Sequence, residues 1–230
     1  MFADFIESLR HSPPGLFNPW FHRDRENDAG SDAPRIRREQ LLRYLEERAG
    51  RAEILLVAEA LGYQGGHFSG IAMTSERILL GHQNQKYGIS PESVFRGIRP
   101  RRTSKEELNL KGMSEPTATI VWGALTELGI NPYSVVLWNA LPWHPYKKEK
   151  GMLSNRTPKS SEMELGLRHL RSFISLFENT KLVAVGRKCE ESLTELGVPF
   201  TGVRHPANGG APGFRMQLAE IHARRKGFIS

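Results

Sequence analysis

The chain has a single cysteine, Cys189, among its 230 residues. One thiol permits no internal disulfide, no zinc ribbon and no four-cysteine iron–sulfur cluster, and it suits a reducing compartment. Cys189 lies in the helix-like stretch VGRKCEESLTELG with no histidine near it in sequence, so it reads as a structural thiol and not a nucleophile. Long apolar runs are missing too, and nothing approaches the roughly 18 residues of a membrane span. The opening MFADFIESLRHSPPG has neither a cationic start nor an unbroken apolar segment, so no signal peptide, no membrane contact and a cytoplasmic location are expected. No GxGxxG or GxxxxGKS/T string is present to cradle a nucleotide, and no His or acidic spacing suggests a metal site. Neither metal nor cofactor is expected.

Acidic residues are the minority, 25 Asp and Glu against 32 Lys and Arg, for a formal charge of +7. Nucleic acid or another polyanion is the natural partner. The excess gathers at Arg35, Arg37 and Arg38, at Arg96, Arg99, Arg101 and Arg102, and at Arg224, Arg225 and Lys226. Each cluster reads equally as a phosphate contact or as a solvated face.

The length suits one domain preceded by an arm. Residues 1–33 form that arm, a short amphipathic helix followed by turn-rich PPGLFNPWFHRDRENDAGSDAP, and residues 34–230 form a single α/β domain. Apolar runs at Ile54 to Ala58, Ser134 to Trp138, Lys181 to Gly186 and Phe200 to Val203 read as buried strands. Between them lie helical patterns, one from about Thr117, and one from Glu162 to Phe177 with Ser161 and Glu164 as a capping box. Alternation of this kind predicts a three-layer α/β/α architecture around a four-stranded parallel sheet. LTELGI at Leu125 and LTELGV at Leu193 read as the same helix-ending chemistry used twice. The region from His82 to Pro116 is long and weakly periodic, which suits a functional or mobile loop.

Three polar loops follow strands: AEALGYQGGHFSG after the first, NALPWHPYKK after the second and RHPANGGAPGFR after the last. In open parallel sheets ligands bind at that edge. In this order the loops resemble the motifs of the uracil-DNA glycosylase superfamily, a first motif of the form GEAPG or GQDPYH, an apolar run ending in Asn, and a final HP motif. The similarity covers about Ile54 to Arg215 and is to bacterial members without iron–sulfur cysteines. Here Ala60 and Leu61 replace residues of the first motif, Leu61 standing where the family has proline.

The resemblance implies a monofunctional enzyme, a monomer, that flips uracil out of DNA and hydrolyses the N-glycosidic bond, with an abasic site and free uracil as products. It places His205 as donor to uracil O2, where one hydrogen bond to developing charge is worth roughly 3–4 kcal/mol. Without it, His205 reads as a loop histidine touching phosphate. Asn139 matches the base reader, its amide able to accept from N3–H and donate to O4 provided that neighbours lock its orientation; otherwise it is a turn residue. Glu59, with Gln64, is assigned to hold water and steady the sugar cation. Phe68 or Met73 is expected to stack on the base, Gly62 to let backbone approach it, and Tyr63 to wall off the thymine methyl. DNA contacts are assigned to Arg99, Arg101, Arg102, Asn208, Gly209 and Arg215. No large apolar wedge follows the HP motif until Phe214, so the Arg96–Arg102 segment or Pro212 stands in. Three alternatives stay open: a glycosylase for hypoxanthine or mispaired thymine, a catalytically inert DNA-binding member of the fold, and an unrelated nucleotide-binding protein.

Overall fold

The four apolar runs become a parallel sheet because both faces of each are covered, which is why they read as unbroken hydrophobic stretches. The structure, a computed structural model, describes residues 1–225. Lys226, the end of the terminal basic cluster, lies outside the described residues. Strands β1 (Ile54–Ala60), β2 (Val135–Leu141), β3 (Lys181–Val185) and β4 (Thr201–Val203) lie in the order β2-β1-β3-β4. In the register of β1 with β2, Ala58 sits opposite Asn139 and Ala60 opposite Leu141, so the two carboxyl ends finish together.

Six longer helices flank the sheet: α1 (Phe2–Ser8), α2 (Ala33–Glu46), α3 (Pro116–Glu127), α4 (Ser160–Ser175), α5 (Arg187–Glu195) and α6 (Ala211–Arg225). This is the α/β/α architecture the alternation predicts. Prolines sit in the first turns of α2 and α3, where a missing N–H costs nothing. Gly129 (φ 60°) and Gly197 (φ 67°) end α3 and α5 in the left-handed conformation, so the LTELG repeat is shared cap chemistry. Helix α4 corrects the expected capping box. Glu162, not Glu164, accepts the Lys159 N–H at 2.8 Å, because Arg156 fixes that carboxylate through two bonds of 2.7 Å.

Residues 1–33 join the same core as the sheet. Phe2, Phe5, Ile6, Leu9, Leu16 and Trp20 all belong to it. Trp20 stacks on Trp138 at 5.9 Å and Trp138 on Phe173 at 4.0 Å, a ladder running from the arm through β2 to α4. Leu16 and Phe17 pair antiparallel with Pro145 and His144, just past the second motif. Residues 82–116 are anchored as well. Ile89, Val94, Phe95 and Met113 are buried, and buried Glu76 accepts from the N–H groups of Thr103 at 2.6 Å and Ser104 at 3.0 Å.

The arm is also tied down by Arg37 of α2, which is wholly buried. Its guanidinium grips Asp28 at 2.7 and 2.9 Å and also donates to the carbonyls of Pro19, His22 and His67. All of its donors are thereby engaged. Removing one partner of such a pair leaves a buried charge unmatched, so Arg37→Ala is expected to cost about 3–5 kcal/mol. Denaturant unfolding at neutral pH measures this, and a loss under about 1 kcal/mol would show that the ion pair does not hold the arm.

Candidate active site

At the carboxyl ends of β1 and β2, facing the loop after β4, a pocket of about 80 Å³ is lined by Glu59, Gly62, Asn139 and His205. That is room for several water molecules. Residues of the first- and last-motif loops and the strand-borne Asn139 thus meet at one place.

Asn139 is only 2 % exposed. Of the two ways to place its amide, one gives both ends a partner: Nδ2 donates to the Trp138 carbonyl and Oδ1 accepts from the Leu61 N–H, each at 3.2 Å. The assignment follows from these neighbours. One N–H and one acceptor lone pair remain for a ligand.

His205 is oriented just as locally. The Ala207 N–H donates to its Nδ1 at 3.1 Å. Burial lowers its pKa, which favours the neutral ring, so the proton lies on Nε2 and that nitrogen is a donor. Gly186, between β3 and α5, has φ 86°, and a β-carbon there would lie 2.9 Å from that of His205. The ring is thus seated against bare backbone.

Glu59, at the end of β1, is half-buried, and burial raises its pKa while Lys188 works in the opposite sense. The other first-motif residues divide. Phe68 is fully buried and packs against His67 at 4.3 Å. It does not line the pocket, whereas Met73 does, with its backbone at φ 46°, a conformation costly for a residue with a side chain. Tyr63 and Gln64 also lie outside the lining; the Tyr63 N–H donates to Asn155 Oδ1 at 3.1 Å.

The predicted DNA contacts scatter around this centre. Arg99, Asn208 and Gly209 are exposed. Arg101 pairs with Glu39, and Arg102 donates to the carbonyls of Asn109 and Leu110. Arg215 pairs with Glu127 at 2.8 Å, on the wall of a larger open cleft of about 570 Å³ that also presents Arg77, Lys86 and Lys111. Among the described residues, no group of three or more His, Cys, Asp or Glu is placed to hold a metal, and no helix is long and apolar enough to cross a membrane.

Sequence reasoning passed over Glu115, which also lines the pocket. It is the residue before Pro116 and caps α3 in an extended conformation. Its carboxyl lies under the first-motif loop, where a β-carbon on Gly65 would fall 2.2 Å from Oε2. Oε2 is buried without a hydrogen-bond partner. Burial alone pushes the Glu115 pKa from 4.5 up to about 7. The available signal is weak: an acidic residue before a helix-starting proline, where Ser, Thr, Asp or Asn is the usual cap.

The folded protein therefore holds the Glu115 proton to higher pH than the unfolded chain does. The associated stability is fully present below about pH 4.5 and lost as pH rises through about 7. Glu115→Gln, which cannot ionise, is expected to raise Tm relative to wild type near pH 8 and to raise it less near pH 5. Paired thermal melts test this, and a Tm difference independent of pH would mean that the carboxyl does not titrate in the fold.

No protein-family model matches the chain, and no curated protein matches it in sequence. Among solved structures it aligns with the crystal structure of wild-type SMUG2 from Pedobacter heparinus at a TM-score of 0.62, over 98% of this chain and 98% of that one, with 11% sequence identity. At that identity the likeness is one of fold. The four-stranded parallel sheet between helices, with its polar loops gathered at the carboxyl edge, is the uracil-DNA glycosylase-like fold that SMUG2 has.

Proposed function

We propose that this chain is a DNA glycosylase that extrudes uracil from DNA and hydrolyses its N-glycosidic bond, leaving an abasic site. The observation that carries the reading is the pairing, in one pocket, of an amide with fixed polarity and an imidazole with a fixed proton. The likeness in fold to SMUG2, a glycosylase of the uracil-DNA glycosylase superfamily, supports the reaction class.

Breaking the bond puts positive charge on the sugar and negative charge on the departing base. Asn139 binds the base first. Its Oδ1, held by the Leu61 N–H, accepts from uracil N3–H, and its free N–H donates to O4. Cytosine offers the reverse pattern and leaves both groups opposed, which is how a buried polar reader rejects an analogue. His205 donates from Nε2 to O2 as the base becomes anionic. A neutral imidazole suffices, since the charge to be met is on the ligand. Glu59 in its ionised form holds the attacking water and faces the sugar cation.

The target nucleotide has to leave the helix, at a cost of a few kcal/mol that phosphate contacts offset. The open cleft beside α3, with Arg77, Lys86, Lys111 and Arg215, gives the strand a basic path next to the pocket.

Purified protein is expected to release uracil from a labelled single-stranded oligonucleotide or its U:G duplex, with alkali cleaving the abasic product. His205→Ala and Asn139→Ala should each lower the single-turnover rate by about 10²–10³ with melting temperature nearly unchanged. No release at enzyme excess, or release indifferent to both substitutions, would overturn the reading.

A further inference from the structure

Glu115 is the ionisable side chain of the pocket that neither the sequence motifs nor the proposed reaction uses. We propose that Glu115 is a base-binding residue, its buried carboxyl making a third polar contact to the base held by Asn139 and His205. The inference rests on reading this pocket as a base site.

Three observations support it. The carboxyl lines the same small pocket as Asn139 and His205. Its Oε2 is cut off from solvent and bonded to nothing, whereas buried polar atoms in folded proteins are almost always satisfied. The carboxyl's other oxygen, Oε1, lies beside Gly62 of the same lining, 3.3 Å from where a β-carbon there would stand. The carboxyl is also accommodated deliberately, since Gly65 leaves open the volume that any β-carbon would take from Oε2. Its backbone is fixed meanwhile, the Glu115 carbonyl accepting from Thr119 N–H at 3.1 Å and Oγ1 at 3.2 Å.

The chemistry sets the protonation state. Base carbonyl oxygens are acceptors, and the base gains negative charge as it departs, so an ionised carboxylate here would oppose both binding and departure. The acid form's O–H can donate to the second lone pair of a base carbonyl already engaged by Asn139 or His205. The other titratable groups facing the pocket are Glu59 from β1 and His205 beyond β4. Burial keeps Glu115 protonated to about pH 7, so base affinity should weaken as pH rises past that point.

The test is calorimetric titration of free uracil and free hypoxanthine into the full-length protein and its Glu115→Gln and Glu115→Ala variants, near pH 6 and near pH 8.5. Wild type should bind more tightly at the lower pH. Glu115→Ala should weaken the better ligand about tenfold or more at pH 6, the loss expected for one buried hydrogen bond. Glu115→Gln, which keeps a donor and an acceptor, should stay within about threefold of wild type and lose the pH dependence. Alanine within twofold of wild type, or no binding of either base by wild type, overturns the assignment. Excision assays on the same preparations keep the two readings apart: weakened binding in the alanine variant with no excision by wild type would retain Glu115 as a base contact and remove the glycosylase.

Discussion

A guanidinium buried in a protein must have each donor met, and Arg37, like the equally buried Arg48, satisfies that requirement. Its partners come from the arm, at Pro19, His22 and Asp28, and from the first-motif loop, at His67. The cation therefore ties the N-terminal segment to the loop that contributes Gly62 to the pocket. From the same point a polar chain runs inward: the Asp24 N–H donates to Asp28, Asp24 meets His67 Nε2 at 3.1 Å, His67 meets His144 at 3.0 Å, and His144 Nε2 donates to the Ser154 carbonyl at 2.8 Å. Burial holds the His144 pKa down at about 3, so that ring is neutral and acts as a hydrogen-bonding link rather than a charge. Asn155, the next residue, holds the Tyr63 N–H. The polar framework thus begins at the arm and ends at the first motif, while the Trp20–Trp138–Phe173 stack fills the apolar space beside it.

The pocket is built with economy from backbone. Asn139 is oriented by a carbonyl and an N–H, and His205 by an N–H, so polarity is set without further side chains. Backbone groups have fixed direction and do not titrate, so these two side chains keep their polarity across a wide pH range. Glycines at 65 and 186 let the Glu115 and His205 side chains rest against the main chain.

Much of this was legible in the sequence because the signals were local. Continuous apolar runs bounded by turns marked the strands, and Asn139 and His205 stood at strand ends in recognisable strings. Where the signal depended on tertiary placement it failed. Glu115 comes from a weakly periodic stretch, and nothing in SEPTA tells which glycines its carboxyl will meet. Phe68 looked like a stacking residue, yet its ring is taken by His67, whose own position is dictated by Asp24 and His144. The arm read as separate because its Phe, Leu and Trp residues are spaced irregularly among Pro, Asp and Asn; only the assembled fold shows that Leu9 and Trp20 are wholly buried.

Leu61 carries a consequence for Asn139. Its substitution for proline looks like erosion of the first motif. Proline, however, has no amide hydrogen, and it is the amide hydrogen of Leu61 that engages Asn139 Oδ1. Leu61, standing where the motif it resembles has proline, thus supplies a hydrogen bond that orients the Asn139 amide. A proline at position 61 would leave the Asn139 oxygen without that donor, so the residue here bears on the amide's orientation as well as on the turn of the loop.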